Sequence, residues 1–191
     1  MAGLFTEWRA EWRLRRLATR YVRSIVAEPA ERDVAWLATT ATDGDTDRAR
    51  WELRYARRGL GLLVAERDAL DDRTGSFVAR QLSEALQLDR RVAAGMVRIA
   101  ERQFNERLTA YRNVLSARNA TEGTGARLGR TLLRSAQNGR EPTPDAVIQA
   151  GELLSGYVEQ ANTALRTLFG EAALPEDRPP SSLLRGATGG R

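Results

Sequence analysis

At 191 residues, 42% apolar and 29% charged, the chain has the make-up of one folded domain, or one domain with extensions. It contains no cysteine and no histidine, which excludes disulfides, thiolate chemistry, the commonest general base and the commonest transition-metal ligand. The net charge of +5 invites an acidic partner, but 30 basic against 25 acidic residues is a mild excess, so placement matters more than the total. Every basic residue is arginine.

Hydrophobic residues recur with a helical period along almost the whole chain, and strand-like alternation is absent. A first helix is predicted over Leu4 to Ala27. Pro29 sits at a natural first-turn position and opens a short helix through Val34, Leu37, Ala38 and Ala41. Asp43-Gly44-Asp45-Thr46-Asp47 stops that helix and supplies capping oxygens for the next. This third helix, Thr46 to Leu70, places Ala49, Leu53, Ala56, Leu60, Leu63 and Leu70 on one seam, interrupted by Arg67. Asp71 to Gly75 reads as a break followed by a new cap.

From Ser76 to Arg118 the helical pattern continues through Val78, Leu82, Ala85, Val92, Met96, Ala100, Phe104, Leu108, Tyr111 and Leu115. An unbroken helix of this length would be a rod of about 65 Å. A compact chain of this size is roughly 40 Å across. Asp89 falls where the stripe calls for an apolar residue, so a bend or break is expected near Leu88 to Arg90. Asn119 to Gly125 reads as a loop, Ala126 to Gln137 as a helix stopped by Asn138-Gly139, and Thr143-Pro144-Asp145 as a strong helix start. The last helix carries Val147, Gly151, Leu154, Val158, Ala161, Leu165 and Leu168, closed by Gly170. The Pro/Gly/Ser-rich stretch 174–191 reads as a disordered tail, leaving 1–173 as the helical domain. The expected fold is an all-α bundle of about six helices with long coiled-coil-like seams.

The sequence does not declare an activity. Its most pointed feature lies in the first helix, where Arg9, Arg13, Arg16, Arg20 and Arg23 recur at spacings of 4, 3, 4 and 3. At 100° per residue they occupy an arc of roughly 80°. Trp8 and Trp12 stand beside them. Guanidinium forks suit phosphate or carboxylate, and indoles suit stacking or a lipid interface. The plainer account is a solvated helix face, with the arginines paired to acids such as Glu66, Asp68, Asp71 and Asp72 and the indoles serving as packing anchors. Trp51 and Tyr55, also four apart, read as packing anchors in the same way.

Three further motifs fail on inspection. Asp43 to Asp47 has the opening oxygens of an EF-hand loop, but Arg48 stands where the loop needs glycine and Arg54 where it needs glutamate. Gly123-Thr124-Gly125-Ala126-Arg127-Leu128-Gly129 resembles a dinucleotide fingerprint with one residue too many and no strand before it. Gly59 and Gly61 read as points of close helix approach. A ferritin-like carboxylate centre lacks its histidines.

These features point to a non-enzymatic, cytoplasmic interaction or scaffold protein without cofactor or metal. It is expected to self-associate or to bind an acidic partner through Trp8, Trp12, Arg9, Arg13, Arg16, Arg20 and Arg23. Nucleic-acid binding through the arginine stripe, or attachment to an anionic membrane surface, are the competing expectations.

Overall fold

A computed structural model of the chain describes residues 2–69, 72–117, 121–137 and 141–170, with side chains from Trp8 onward. Among them run seven helices and no strand: α1 (Ala2–Ile25), α2 (Glu31–Ala41), α3 (Thr46–Asp68), α4 (Asp72–Gln87), α5 (Val97–Ser116), α6 (Thr124–Ala136) and α7 (Pro144–Phe169). The chain is an all-α bundle. The stretch 174–191, expected to be a tail, and the expected helix stop at Asn138-Gly139 lie outside the described residues.

The local signals act largely as the residue types dictate. Asp43 (φ 54°) and Gly44 (φ 88°) turn the chain between α2 and α3 in the left-handed region. The Asp45 carboxylate then accepts the Arg48 backbone N–H at 2.9 Å and caps α3. Thr143 caps α7 with Pro144 in its first turn, and Gly170 (φ 89°) ends it. Pro29 departs from expectation: α2 begins at Glu31 with Ala30 as its cap residue, so the buried proline precedes the helix.

Helix α3 is the centre of the bundle and packs against each of the other six helices. Its seam residues Ala49, Leu53, Ala56, Leu60 and Leu63 are buried, while Arg67 is exposed. A helix covered on nearly every side should be apolar all round. This one also buries Glu52, Arg54 and Arg58, and each finds a partner of opposite charge on a neighbouring segment.

The pattern from 76 to 118 is interrupted as Asp89 foreshadows. Helix α4 stops at Gln87, a short connection with one 3₁₀ turn (Ala94–Met96) follows, and α5 starts at Val97. This break supplies the seventh helix. The Asp89 side chain, 3% exposed, meets Arg58 Nη2 at 2.8 Å. A carboxylate drawn into the interior by a guanidinium cannot stay in register on a continuing helix face. Of the apolar stripe at the break, Val92 is half-buried and Met96 is exposed, so the periodicity overstates the core here.

Glycines set the closest helix approaches. A Cβ on Gly129 would lie 2.7 Å from the Gly151 backbone nitrogen, and one on Gly151 would lie 2.6 Å from the Gly125 carbonyl oxygen. The segment that resembles a dinucleotide fingerprint is therefore the contact face of α6 on α7. Gly61 likewise admits Ile25 of α1, whose Cγ2 would stand 2.5 Å from an added Cβ. The Tyr21 hydroxyl donates to the Gly61 carbonyl at 2.7 Å. Gly59 has only ordinary van der Waals neighbours and needs no such explanation.

Candidate functional site

Helix α1 is held by its C-terminal half. Ala18, Tyr21, Val22 and Ile25 are buried, and the helix lies on α4 and α7. Glu11 approaches Arg73 of α4 at 3.7 Å, and the Thr19 hydroxyl lies 2.7 Å from Gln81 Oε1. The preceding part of the helix is different. Trp8, Arg9, Ala10, Glu11, Trp12 and Arg13 are all exposed, and six successive residues face every direction around a helix. This portion is solvated on every side, with Glu11 reaching across to Arg73 of α4.

Arg9, Arg13, Arg16, Arg20 and Arg23 are exposed along one side, opposite the buried face. Among the described residues none of them has a carboxylate partner. The acids proposed from sequence as their neighbours are engaged elsewhere or lie outside the description: Glu66 pairs with Arg112, Asp68 with Arg67, and Asp71 is not described. Asp72, in the first turn of α4, makes no ion pair with the stripe among the described residues. The arginines form a solvated face, and the pairings with Glu66 and Asp68 are not formed.

The indoles require a second correction. Trp8 is 64% exposed and Trp12 52%, so neither anchors the core. Trp12 is partly covered by the Arg16 guanidinium, 4.7 Å above its ring, a cation–π contact within the stripe itself. Helical projection sets both indoles along one edge of the arginine arc. The result is a cationic face about 20 Å long with an aromatic margin. Trp51 and Tyr55, by contrast, do pack, with ring centroids 5.7 Å apart and Tyr55 buried.

A second feature escapes the sequence reading. Between α3, the connection after α4, and α5 lies a cleft of about 530 Å³. Trp51 and Tyr55 form one wall, and Val92, Ala93, Met96 and Ile99 contribute to the other. Arg107 holds Glu52 by two hydrogen bonds of 2.7 and 3.0 Å. Arg91 pairs with both Asp89 and Glu28, and Glu28 also receives Arg54 at 2.7 Å. Burial draws the Arg58 guanidinium below its usual range, and the hydrogen bond and charge of Asp89 oppose that shift. The signal in the sequence is the polar residue out of place at Asp89, but its partner can be found only in the fold.

Compared with known proteins, the chain matches no protein-family model, no curated protein and no solved structure. The fold and the sites above therefore define its class as an all-α bundle presenting a cationic, aromatic helix. Among the described residues no helix is long and apolar enough to cross a membrane, and no group of three or more acidic side chains is placed to hold a metal.

Proposed function

We propose that this protein is a non-enzymatic interaction protein that binds an acidic protein partner through the exposed arginine and tryptophan face of α1. The single observation that supports this reading is the set of five exposed arginines, none with a carboxylate partner among the described residues, beside two indoles more than half exposed. Large exposed aromatics flanked by guanidiniums are the residue types enriched where interfaces draw most of their energy. A surface left unneutralised by its own molecule attracts acidic surfaces and accelerates their encounter.

Self-association through this same face is disfavoured. A two-fold pairing would set the arginines of one copy against those of the other. An acidic surface on a different protein matches the face in both charge and aromatic contact.

The test is recovery of partners by the immobilised full chain from a nuclease-treated, detergent-cleared extract of its source cells, compared with an Arg13→Glu/Arg16→Glu variant. A protein of acidic surface is expected on the parent chain. Its affinity should fall at least about tenfold in the variant and weaken with added salt. Retention that vanishes with nuclease would replace this reading with nucleic-acid binding. Charge-dependent flotation of the purified protein with phosphatidylserine vesicles would replace it with attachment to a membrane surface. Equal recovery by parent and variant would end it.

A further inference from the structure

The α3–α5 cleft is independent of α1, and its construction points to a ligand. Its size lies within the range of about 300–1,000 Å³ common to small-molecule sites. Two apolar residues at its mouth, Met96 (50% exposed) and Ile99 (39%), remain in water although the periodicity of the chain marks Met96 for burial. A second, small cavity, a recess of about 10 Å³, shares Trp51, Tyr55, Val92 and Ala100 with the cleft and is also lined by Arg58. This has room for about a single oxygen atom.

Arg58 is 2% exposed, and its Nε–H has no hydrogen-bond partner among the described residues, although its Nη2 holds Asp89. Buried donors are nearly always satisfied, so one left over beside a cleft indicates an acceptor to come. Arg48, Arg58, Arg91 and Arg107 line the cleft and recess against the carboxylates Glu52 and Glu101. Asp89 and Glu28 pair with Arg58 and Arg91, and Glu52 pairs with Arg107, so the donor left over is Arg58 Nε–H, which a charged acceptor oxygen meets most strongly. The walls favour a flat ring, because an aromatic pair faces an aliphatic one across the opening.

The wall formed by residues 88–96 is also held rigidly. Asp89 accepts from Arg58 on α3 and, at 3.1 Å, from the Arg91 backbone N–H. A buried ion pair is a weak source of stability compared with apolar packing of equal volume. Its effect is positional, since it ties the turn that carries Arg91, Val92 and Ala93 of the cleft lining to α3.

We propose that this cleft binds a bicyclic aromatic anion, with its rings between the Trp51/Tyr55 wall and the Val92–Met96 wall and an acidic oxygen directed to Arg58 Nε–H. The probe is 8-anilinonaphthalene-1-sulfonate, which has these features. The chain contains two methionines, Met1 and Met96, so ¹³C-methyl labelling of methionine places one reporter at the cleft mouth.

Titration of the full chain is expected to give saturable binding that moves the Met96 methyl resonance and leaves Met1 in place. Met96→Glu should weaken the binding, followed by dye fluorescence, at least about fivefold. Ile148→Glu, the same change at an exposed apolar site on α7, should not. Ala100→Trp, which fills the recess, should abolish it. Circular dichroism melts establish that each variant is folded, and Met96→Glu, at an exposed position, keeps the test available should Ala100→Trp not fold. No saturable shift at Met96, or equal weakening by the two glutamates, overturns the site. Equally tight binding of uncharged N-phenyl-1-naphthylamine overturns the requirement for an anion. The Arg13→Glu/Arg16→Glu background should leave this binding unchanged, which separates it from the function proposed for α1.

Discussion

Arg58 and Asp89 stand 31 positions apart, and nothing in their local sequence couples them. In the interior each is tolerable only because of the other: a carboxylate or guanidinium buried alone is strongly unfavourable. Asp89→Ala is therefore expected to lower stability by about 3–5 kcal/mol in urea denaturation. The double change Arg58→Met/Asp89→Leu should recover most of that loss while releasing the 88–96 turn. A single variant as stable as the parent would show that the pair is not held as described. The buried tyrosines carry a pH dependence of definite sign. Desolvation raises the ionisation of Tyr111 and Tyr21 well above the usual phenol range, with further contributions from Glu52 and Asp68 respectively, and pushes Tyr157 up to about 12 with help from Asp33. Above pH about 10 the unfolded chain releases phenol protons that the folded chain retains. Stability from these groups is complete below that pH and is lost as pH rises toward the folded values. The Tyr111 hydroxyl has no partner among the described residues, so Tyr111→Phe should change neutral-pH stability by less than about 1 kcal/mol and move the alkaline unfolding limb upward. A limb unmoved by that change would count against Tyr111 as a contributor. Residue types at this scale were legible in the sequence, but their partners were not, because ion pairing across the bundle depends on which helices meet.

Helices, taken singly, follow their sequences closely. The Asp45 and Thr143 caps, the Gly170 stop and the interruption at Asp89 all lie where capping chemistry and a misplaced charge put them. Glycine is the ambiguous residue, since the same lack of a Cβ serves a turn, a phosphate loop or a close crossing. The α6–α7 contact settles that ambiguity for Gly129 and Gly151. A side chain at Gly129 would press on the α7 backbone, which cannot move aside as a flexible side chain can. Gly129→Ala should cost about 1–3 kcal/mol. Gly156, on the same α7, has nothing within 4 Å of an added Cβ. Gly156→Ala should stabilise the protein by about 0.5–1 kcal/mol through helix propensity alone. Thermal melts of the two variants should move in opposite directions, and movement in the same direction would contradict the crossing. The apolar stripe misleads at Val92 and Met96, where the period persists on paper after the helix has been broken.

On the scale of the whole molecule, α1 has a C-terminal half docked on α4 and α7 and a preceding part exposed on every side. Among the described residues its stripe arginines make no ion pair with the rest of the bundle, so Arg13→Glu/Arg16→Glu should change stability by no more than about 0.5 kcal/mol even as binding is lost. A large destabilisation would mean that the stripe serves the fold. The amino-acid sequence by itself determined that this protein is a bundle of helices, where most of them start and stop, and that one helix bears a ribbon of arginines. These are local properties, set by side-chain period, capping groups and backbone freedom within a few residues. Only the tertiary structure decided that the ribbon has no carboxylate partner among the described residues, that Trp8 and Trp12 face water, and that Trp51 and Tyr55 face Val92 and Met96 across a cleft. Exposure and pairing depend on what residues distant in the chain place nearby, and a periodic pattern records which face is oily without recording what, if anything, will cover it.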